Sequence, residues 1–237
     1  MKISLSQFKP KLSRDNLERH LEILEKQKDI DLIVFPELSL NGYYLQDKVF
    51  EDAWDIDELF EIAKFSEKFD IVVGGVIKDR KEFFNSSLYF SKGKLLHLHK
   101  KLHLPNYGMF EEARFFSDGK IIESFETDFG KVVMLVCEDI WRGSTLAELE
   151  KIQPDMIIII SNSPARGFEN GQIEIQERWK AILKTTSIFA KSKTVFINRV
   201  GFEDGLGFWG GSMVFNKNGK ILKELPLYDE VIEIVEI

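Results

Sequence analysis

The chain has 237 residues, 44% hydrophobic and 12% aromatic, with a formal net charge of −7; it suits one large or two small domains with a substantial core, and its acidic balance argues against a nucleic-acid partner. One cysteine excludes an internal disulfide and a Cys-rich zinc site, and the four histidines form no HExxH. No apolar run approaches a membrane span and Met1-Lys2-Ile3-Ser4-Leu5 carries no signal-peptide pattern, so the expected location is cytoplasmic, where a lone thiol stays reduced.

Taken in order, residues 3–8 read as a strand and 16–28 as an amphipathic helix with Leu17, Leu21 and Leu24 on one face. Residues 31–35 are a second, fully apolar strand that stops at Pro36-Glu37, which places a carboxylate just past a strand end. Residues 38–44 form a loop with Asn41-Gly42 as its turn signal, and 56–69 are spaced as a helix. A strand over 71–77 carries Gly74-Gly75, a place for close approach of a backbone or ligand. Strands 84–90 and 94–99 flank Ser91-Lys92-Gly93, a hairpin signal.

Lys100-Lys101 then leaves the sheet; locally, two such lysines read as a solvated edge. His97, His99 and His103 fit an ordinary exposed face. A hairpin leads from 125–129 through Gly130 into the apolar run 132–136, which ends at Cys137-Glu138-Asp139-Ile140-Trp141. Thr145-Leu146-Ala147-Glu148 reads as a capping box opening a short helix. A strand over 156–160 ends at Ser161-Asn162-Ser163-Pro164, and 172–193 is the longest helical pattern. After strand 195–198 come a glycine-rich stretch (201–211), a hairpin turn over 215–220 and a last strand from Val231. No linker or charge block divides residues 1–237, so one domain is expected. Strand, helix and strand lead to Glu37, and a similar succession passes Cys137 to Ser163, which predicts two similar α/β halves packed face to face.

A thiol at the end of a buried strand is either a small core residue or a nucleophile. A nucleophile needs a base for its proton, donors for the oxyanion and an acid for the leaving nitrogen. No histidine is placed for this. Glu37, among Phe35, Pro36, Leu38 and Leu40, is the remaining base, with a solvated loop acid as the alternative.

Phe35-Pro36-Glu37-Leu38-Ser39-Leu40-Asn41-Gly42-Tyr43, Lys101-Leu102-His103-Leu104-Pro105-Asn106-Tyr107 and Val136-Cys137-Glu138-Asp139-Ile140-Trp141 resemble, in order, the three motifs of the nitrilase superfamily of carbon–nitrogen hydrolases. Phe110-Glu111-Glu112-Ala113-Arg114-Phe115-Phe116 is similar to the family's second-glutamate motif, and Asn198-Arg199-Val200-Gly201 and Phe208-Trp209-Gly210-Gly211-Ser212 match late segments. The resemblance implies a four-layer α-β-β-α sandwich, a homodimer or larger homo-oligomer joined through the helical layer, and a cofactor-free site. By resemblance Cys137 is the nucleophile, Glu37 the base and later acid, and Lys101 the cation near the oxyanion, with the Glu138 N–H completing the oxyanion hole. Glu112, with Glu111 as rival, holds the lysine or substrate. Glu37, Lys101 and Cys137 should then converge on one reacting centre.

The same motifs resemble most the glutaminase domain of glutamine-dependent NAD synthetases, in which residues matching Tyr43, Tyr107, Glu138 and Ser163 hold glutamine. Trp141 is expected to face the same pocket. Two departures stand against that branch: no synthetase domain follows, and Gly167-Phe168-Glu169 stands where a basic residue is expected. Arg166 is either its replacement as a carboxylate partner or a surface arginine. The expected activity is that of a thioester-forming amidase for a small carboxamide or carbamoyl substrate. The alternatives are a glutaminase subunit feeding ammonia to a separate synthetase partner, and a non-catalytic member. Nitrile hydrolysis is disfavoured, because Trp-Glu usually follows the cysteine in nitrilases.

Overall fold

The structure, a computed structural model, describes residues 1–169 and 172–237. The strands are β1 (Lys2–Gln7), β2 (Leu32–Val34), β3 (Asp70–Asp79), β4 (Glu82–Ser91), β5 (Lys94–Lys100), β6 (Ser124–Thr127), β7 (Gly130–Val136) and β8 (Met156–Ser161) in the first two thirds. They continue with β9 (Phe168–Glu169), β10 (Gln172–Ile173), β11 (Lys193–Asn198), β12 (Val200–Glu203), β13 (Leu206–Trp209), β14 (Met213–Phe215), β15 (Ile221–Glu224) and β16 (Val231–Glu236). The helices are α1 (Asn16–Lys26), the single turn α2 (Val49–Asp52), α3 (Phe60–Phe65), the single turn α4 (Glu112–Phe115), α5 (Gly143–Ile152) and α6 (Glu174–Ala190).

Two six-stranded sheets form, in the orders β16-β1-β2-β3-β4-β5 and β15-β14-β11-β8-β7-β6. At the centre of each the strands are parallel: β1–β2–β3 in one, β7–β8–β11 in the other. Alternate residues of these strands enter different cores. Ile3, Leu5, Val132, Met134, Val136, Ile158 and Ile160 pack between the sheets. Val133, Leu135, Ile157 and Ile159 face outward and are covered by α5 and α6 residues such as Leu149, Trp179 and Leu183. Ile33, Ile71 and Val73 are covered by Leu24 of α1 and Ile62 of α3. Burial on both faces explains why the strands read as unbroken apolar runs rather than alternating ones. The layers are therefore helix, sheet, sheet, helix, as expected.

Three local expectations change. The 56–69 helix is instead a 3-10 turn (Ile56–Leu59), opened by an Asp55–Glu58 capping box, followed by α3, which ends at Phe65. Thr145 is not a cap: α5 starts two residues earlier, and Thr145 is buried inside its first turn with its N–H on the Arg142 carbonyl. His99 does not lie on an exposed face but is buried against Asp139. The Gly74 expectation holds with a specific partner. A Cβ there would lie 2.5 Å from both the Pro36 carbonyl and the Leu38 nitrogen, so only glycine lets the Glu37 loop cross β3 so closely.

Candidate active site

Glu37 follows β2, Cys137 follows β7, and Ser161 ends β8 with Asn162 and Ser163 just beyond it, so the carboxyl ends of the parallel strands meet at one place. Both critical turns are sharp. Leu38 adopts φ 47 and Cys137 φ 45, left-handed conformations that cost a non-glycine residue on the order of 1–3 kcal/mol and persist only where surroundings impose them.

Glu37 is fully buried, not a solvated loop acid. Its Oε1 accepts from Lys101 Nζ at 2.7 Å and from Asn85 Nδ2 at 2.7 Å, and its Oε2 accepts from the Asn162 backbone N–H at 2.6 Å. Lys101, read locally as a solvated edge, is 1% exposed. Its ammonium also lies 2.9 and 2.8 Å from the two oxygens of Glu112, with its hydrogen bond on Oε1. Tyr43 Oη donates to the same Oε1 at 2.8 Å. The rival Glu111 is exposed and paired with Arg114, and Lys100 is held outside by Asp79. The lysine thus stands between two buried carboxylates, Glu37 and Glu112.

Burial alone would lower the Lys101 pKa, but the charges of Glu112 and Glu37 outweigh it and hold it well above the usual value. Burial pushes Glu112 up to about 7; Lys101 opposes this and Glu37 adds to it. The Cys137 thiol is driven well above its usual value by burial and by Glu37, with Lys101 and a hydrogen bond from Ser161 pulling the other way. The resting sulfur is therefore a thiol, and a base must remove its proton during attack.

A cavity of about 350 Å³ opens over the thiol. Tyr43, Glu112, Cys137, Glu138, Trp141 and Arg166 contribute to its wall, as do Tyr107 and Ser163; Glu37 and Lys101 lie behind it. Glu138 accepts from Tyr107 Oη and from Arg142, both at 2.9 Å. The Ser163 hydroxyl oxygen accepts from the indole N–H groups of Trp179 and Trp209, at 2.9 and 3.3 Å. Arg166 is partly buried over the Phe110 ring at 5.2 Å, and its Nε has no hydrogen-bond partner among the described residues.

Several supporting residues escaped the sequence reading. Asp139 accepts from the N–H groups of Val136, Leu102 and His103 and from His99 Nε2, at 2.8–3.0 Å, so one carboxylate ties the Cys137 turn to the Lys101 loop. Glu203 accepts from the Tyr43 and Tyr44 N–H groups at 2.8 and 2.6 Å and is paired with buried Arg199 at 2.9 Å. Asp139 stood within the Cys137 motif, but Glu203 and Asn85 had no local signal.

Burial by itself raises the Asp139 pKa, yet its hydrogen bonds from His99 and the backbone hold it below the usual carboxylate range. A depressed acid stabilises the fold above its unfolded pKa, and that contribution is lost as pH falls through the folded value. Asp139→Asn is therefore expected to cost on the order of 2–3 kcal/mol near neutrality. In urea unfolding at several pH values, its gap from wild type should shrink below about pH 4; a constant gap would contradict this account.

Two stacked sheets with helices outside and a glutamate, lysine and cysteine at the strand ends define the α-β-β-α hydrolase class. The carbon-nitrogen hydrolase family model matches residues 2–237. The glutamine-dependent NAD(+) synthetase of Acinetobacter baylyi is 31% identical over 97% of this chain and 42% of its own length. That of Thermotoga maritima is 29% identical over 100% of the chain and 42% of its own. The chain thus spans about two fifths of these relatives. Among solved structures, glutamine-dependent NAD+ synthetase from Acinetobacter baumannii superposes with a TM-score of 0.86 at 29% identity, covering 98% of this chain and 44% of that one. An amidase from Nesterenkonia sp. AN1 superposes at 0.85 over 100% and 90%, with 18% identity, a likeness of fold. The protein belongs to the carbon–nitrogen hydrolase family, whose members act on non-peptide C–N bonds.

Proposed function

We propose that the protein is a cysteine-dependent amidase that hydrolyses a small carboxamide or carbamoyl compound through a thioester. The observation that carries this is the buried Glu37–Lys101–Glu112 cluster beside Cys137, under a cavity of substrate size. The Cys137 proton passes to Glu37 as sulfur attacks the amide carbon. The oxyanion is met by Lys101 and the Glu138 N–H. The C–N bond breaks as Glu37 returns the proton to nitrogen, and ammonia or amine leaves. Glu37 then takes a proton from water, whose oxygen attacks the thioester. Collapse of the second intermediate expels the Cys137 sulfur, which regains a proton as the carboxylic acid departs.

Glu112 and Tyr43 hold Lys101 in place in this reading. Tyr107, Glu138, Trp141 and Ser163 contact the substrate, and Arg166, with an uncommitted N–H beside the cavity, takes a carboxylate distal to the amide. Arg166→Leu is then expected to raise KM about tenfold or more for amides bearing such a carboxylate. kcat and the KM of uncharged amides should change little; equal effects on both substrate classes would remove the assignment.

A second reading is a glutaminase subunit that supplies ammonia to a separate synthetase; the likeness to NAD(+) synthetases over about two fifths of their length favours it. A non-catalytic role is disfavoured by the intact cluster. We further propose a cytoplasmic homo-oligomer; among the described residues no helix is long and apolar enough to cross a membrane. The test is ammonia release from an amide panel that includes glutamine, with Cys137→Ala as control. Release lost in the control supports the amidase, and glutamine turnover that rises only with added synthetase supports the subunit. Equal traces for both proteins on every amide would exclude both.

A further inference from the structure

β8 runs parallel to β7 with Ile160 paired to Val136, so the next residue on β8, Ser161, lies beside the next residue on β7's path, Cys137. Ser161 is fully buried. Its Oγ donates to Cys137 Sγ at 3.3 Å and makes no other hydrogen bond among the described residues. A second buried hydroxyl, Ser87 Oγ, donates to a sulfur in the core at the same 3.3 Å, but that sulfur belongs to the thioether of Met134; the Ser161 partner is the one sulfur in the chain that can ionise.

We propose that Ser161 is a further catalytic residue, whose hydroxyl holds the Cys137 sulfur in its anionic form both when it attacks the amide and when it leaves the thioester. The inference rests on Cys137 being the nucleophile. A thiolate is a far better hydrogen-bond acceptor than either a thiol or a thioester sulfur, because it carries a full charge. The bond is therefore stronger on the path to each tetrahedral intermediate than in the states on either side, which is the condition for lowering a barrier. It also acts where help is needed. Burial and Glu37 oppose the thiolate, while Lys101 is shared with two carboxylates. The hydroxyl is neutral, so it adds stabilisation without another buried charge, and the strand backbone fixes it in place before the proton moves. No proton is transferred by Ser161: Glu37 takes the thiol proton, and Ser161 only donates a hydrogen bond.

The experiment is alkylation of the full chain by iodoacetamide across weakly acidic to alkaline pH, followed by intact mass; Cys137 is the sole thiol, so the adduct that Cys137→Ala fails to form under the same conditions reports on it. For Ser161→Ala the alkylation profile is expected to shift upward by about one pH unit, which is about tenfold slower reaction near neutrality. A melting temperature close to wild type would accompany it, since only one oxygen is removed. Superimposable profiles for Ser161→Ala and wild type would overturn the proposal. This readout needs no substrate, so it is separate from the amidase assay. If Cys137→Ala abolishes ammonia release but Ser161→Ala leaves the profile unmoved, the function stands and this inference fails. If Ser161→Ala shifts the profile but Cys137→Ala still hydrolyses amides, the bond has no catalytic role and both fail.

Discussion

Cys137→Ala is expected to lower ammonia release from any amide the protein turns over by a factor on the order of 10⁶, the scale seen when a covalent nucleophile is removed. What remains, a lysine and donors around an oxyanion position, retains only the electrostatic part of catalysis. The fold should survive. The Glu37–Lys101–Glu112 cluster does not depend on the sulfur, and the strained φ 45 at this position is as accessible to alanine as to cysteine. The Ser161 hydroxyl loses its partner, a cost of about 1 kcal/mol. Circular dichroism and a melting curve would show a folded protein with background activity. An alanine variant that kept even a hundredth of wild-type turnover would rule out a thioester on Cys137.

Lys101→Met is expected to damage both activity and stability. In wild type, one ammonium lies within 2.9 Å of two buried carboxylates. Methionine of similar length fills the space but leaves Glu37 and Glu112 facing each other without a counter-charge. Breaking such a buried arrangement by removing one partner costs about 3–5 kcal/mol. The loss should depend on pH. Glu112 already sits at about 7 because burial disfavours its ionised form, and without Lys101 that form is disfavoured further. An acid whose folded pKa is raised contributes stability that is full below its unfolded pKa and is lost as pH rises through the folded one. The variant should therefore be least stable at alkaline pH and recover toward wild type as the medium is acidified to about 5. Turnover should fall by about 10³-fold or more at every pH, since the oxyanion loses its cation. Urea unfolding at two pH values, with initial rates on the amide that wild type prefers, checks both parts. A stability gap that widens on acidification would be incompatible with this electrostatic account.

These two results concern residues of different legibility. Cys137 stands at the end of an apolar run, where strand pattern alone places a side chain at the ligand edge of an open sheet. Lys101 looked locally like one of two lysines on a solvated edge. It is buried because β5 ends at Lys100 and the chain then turns inward, held by the Lys101 N–H on the Asn85 carbonyl and by Asp139 on the next two N–H groups. Along the chain, only the ordered motifs distinguish it from Lys100. The choice between Glu111 and Glu112 was also beyond the sequence. Adjacent residues at the start of a helical turn point in different directions, and which one meets the lysine depends on how that turn docks.

The sequence by itself determined the strand order of apolar runs, the hairpins, the layered fold and the positions of Glu37 and Cys137 at strand ends. The strands, hairpins and strand-end positions follow from local periodicity and from the residue types that end strands, whereas the four-layer fold is what the family resemblance implies. The tertiary structure decided what those residues face. Glu37 is bonded from Asn85 on β4, Lys101 after β5 and Asn162 after β8; Asp139 and Glu203 each join segments far apart in the chain. A carboxylate held by residues from three different strands and strand ends has no signature along the chain, because its partners are set by how two sheets stack and not by neighbours in sequence.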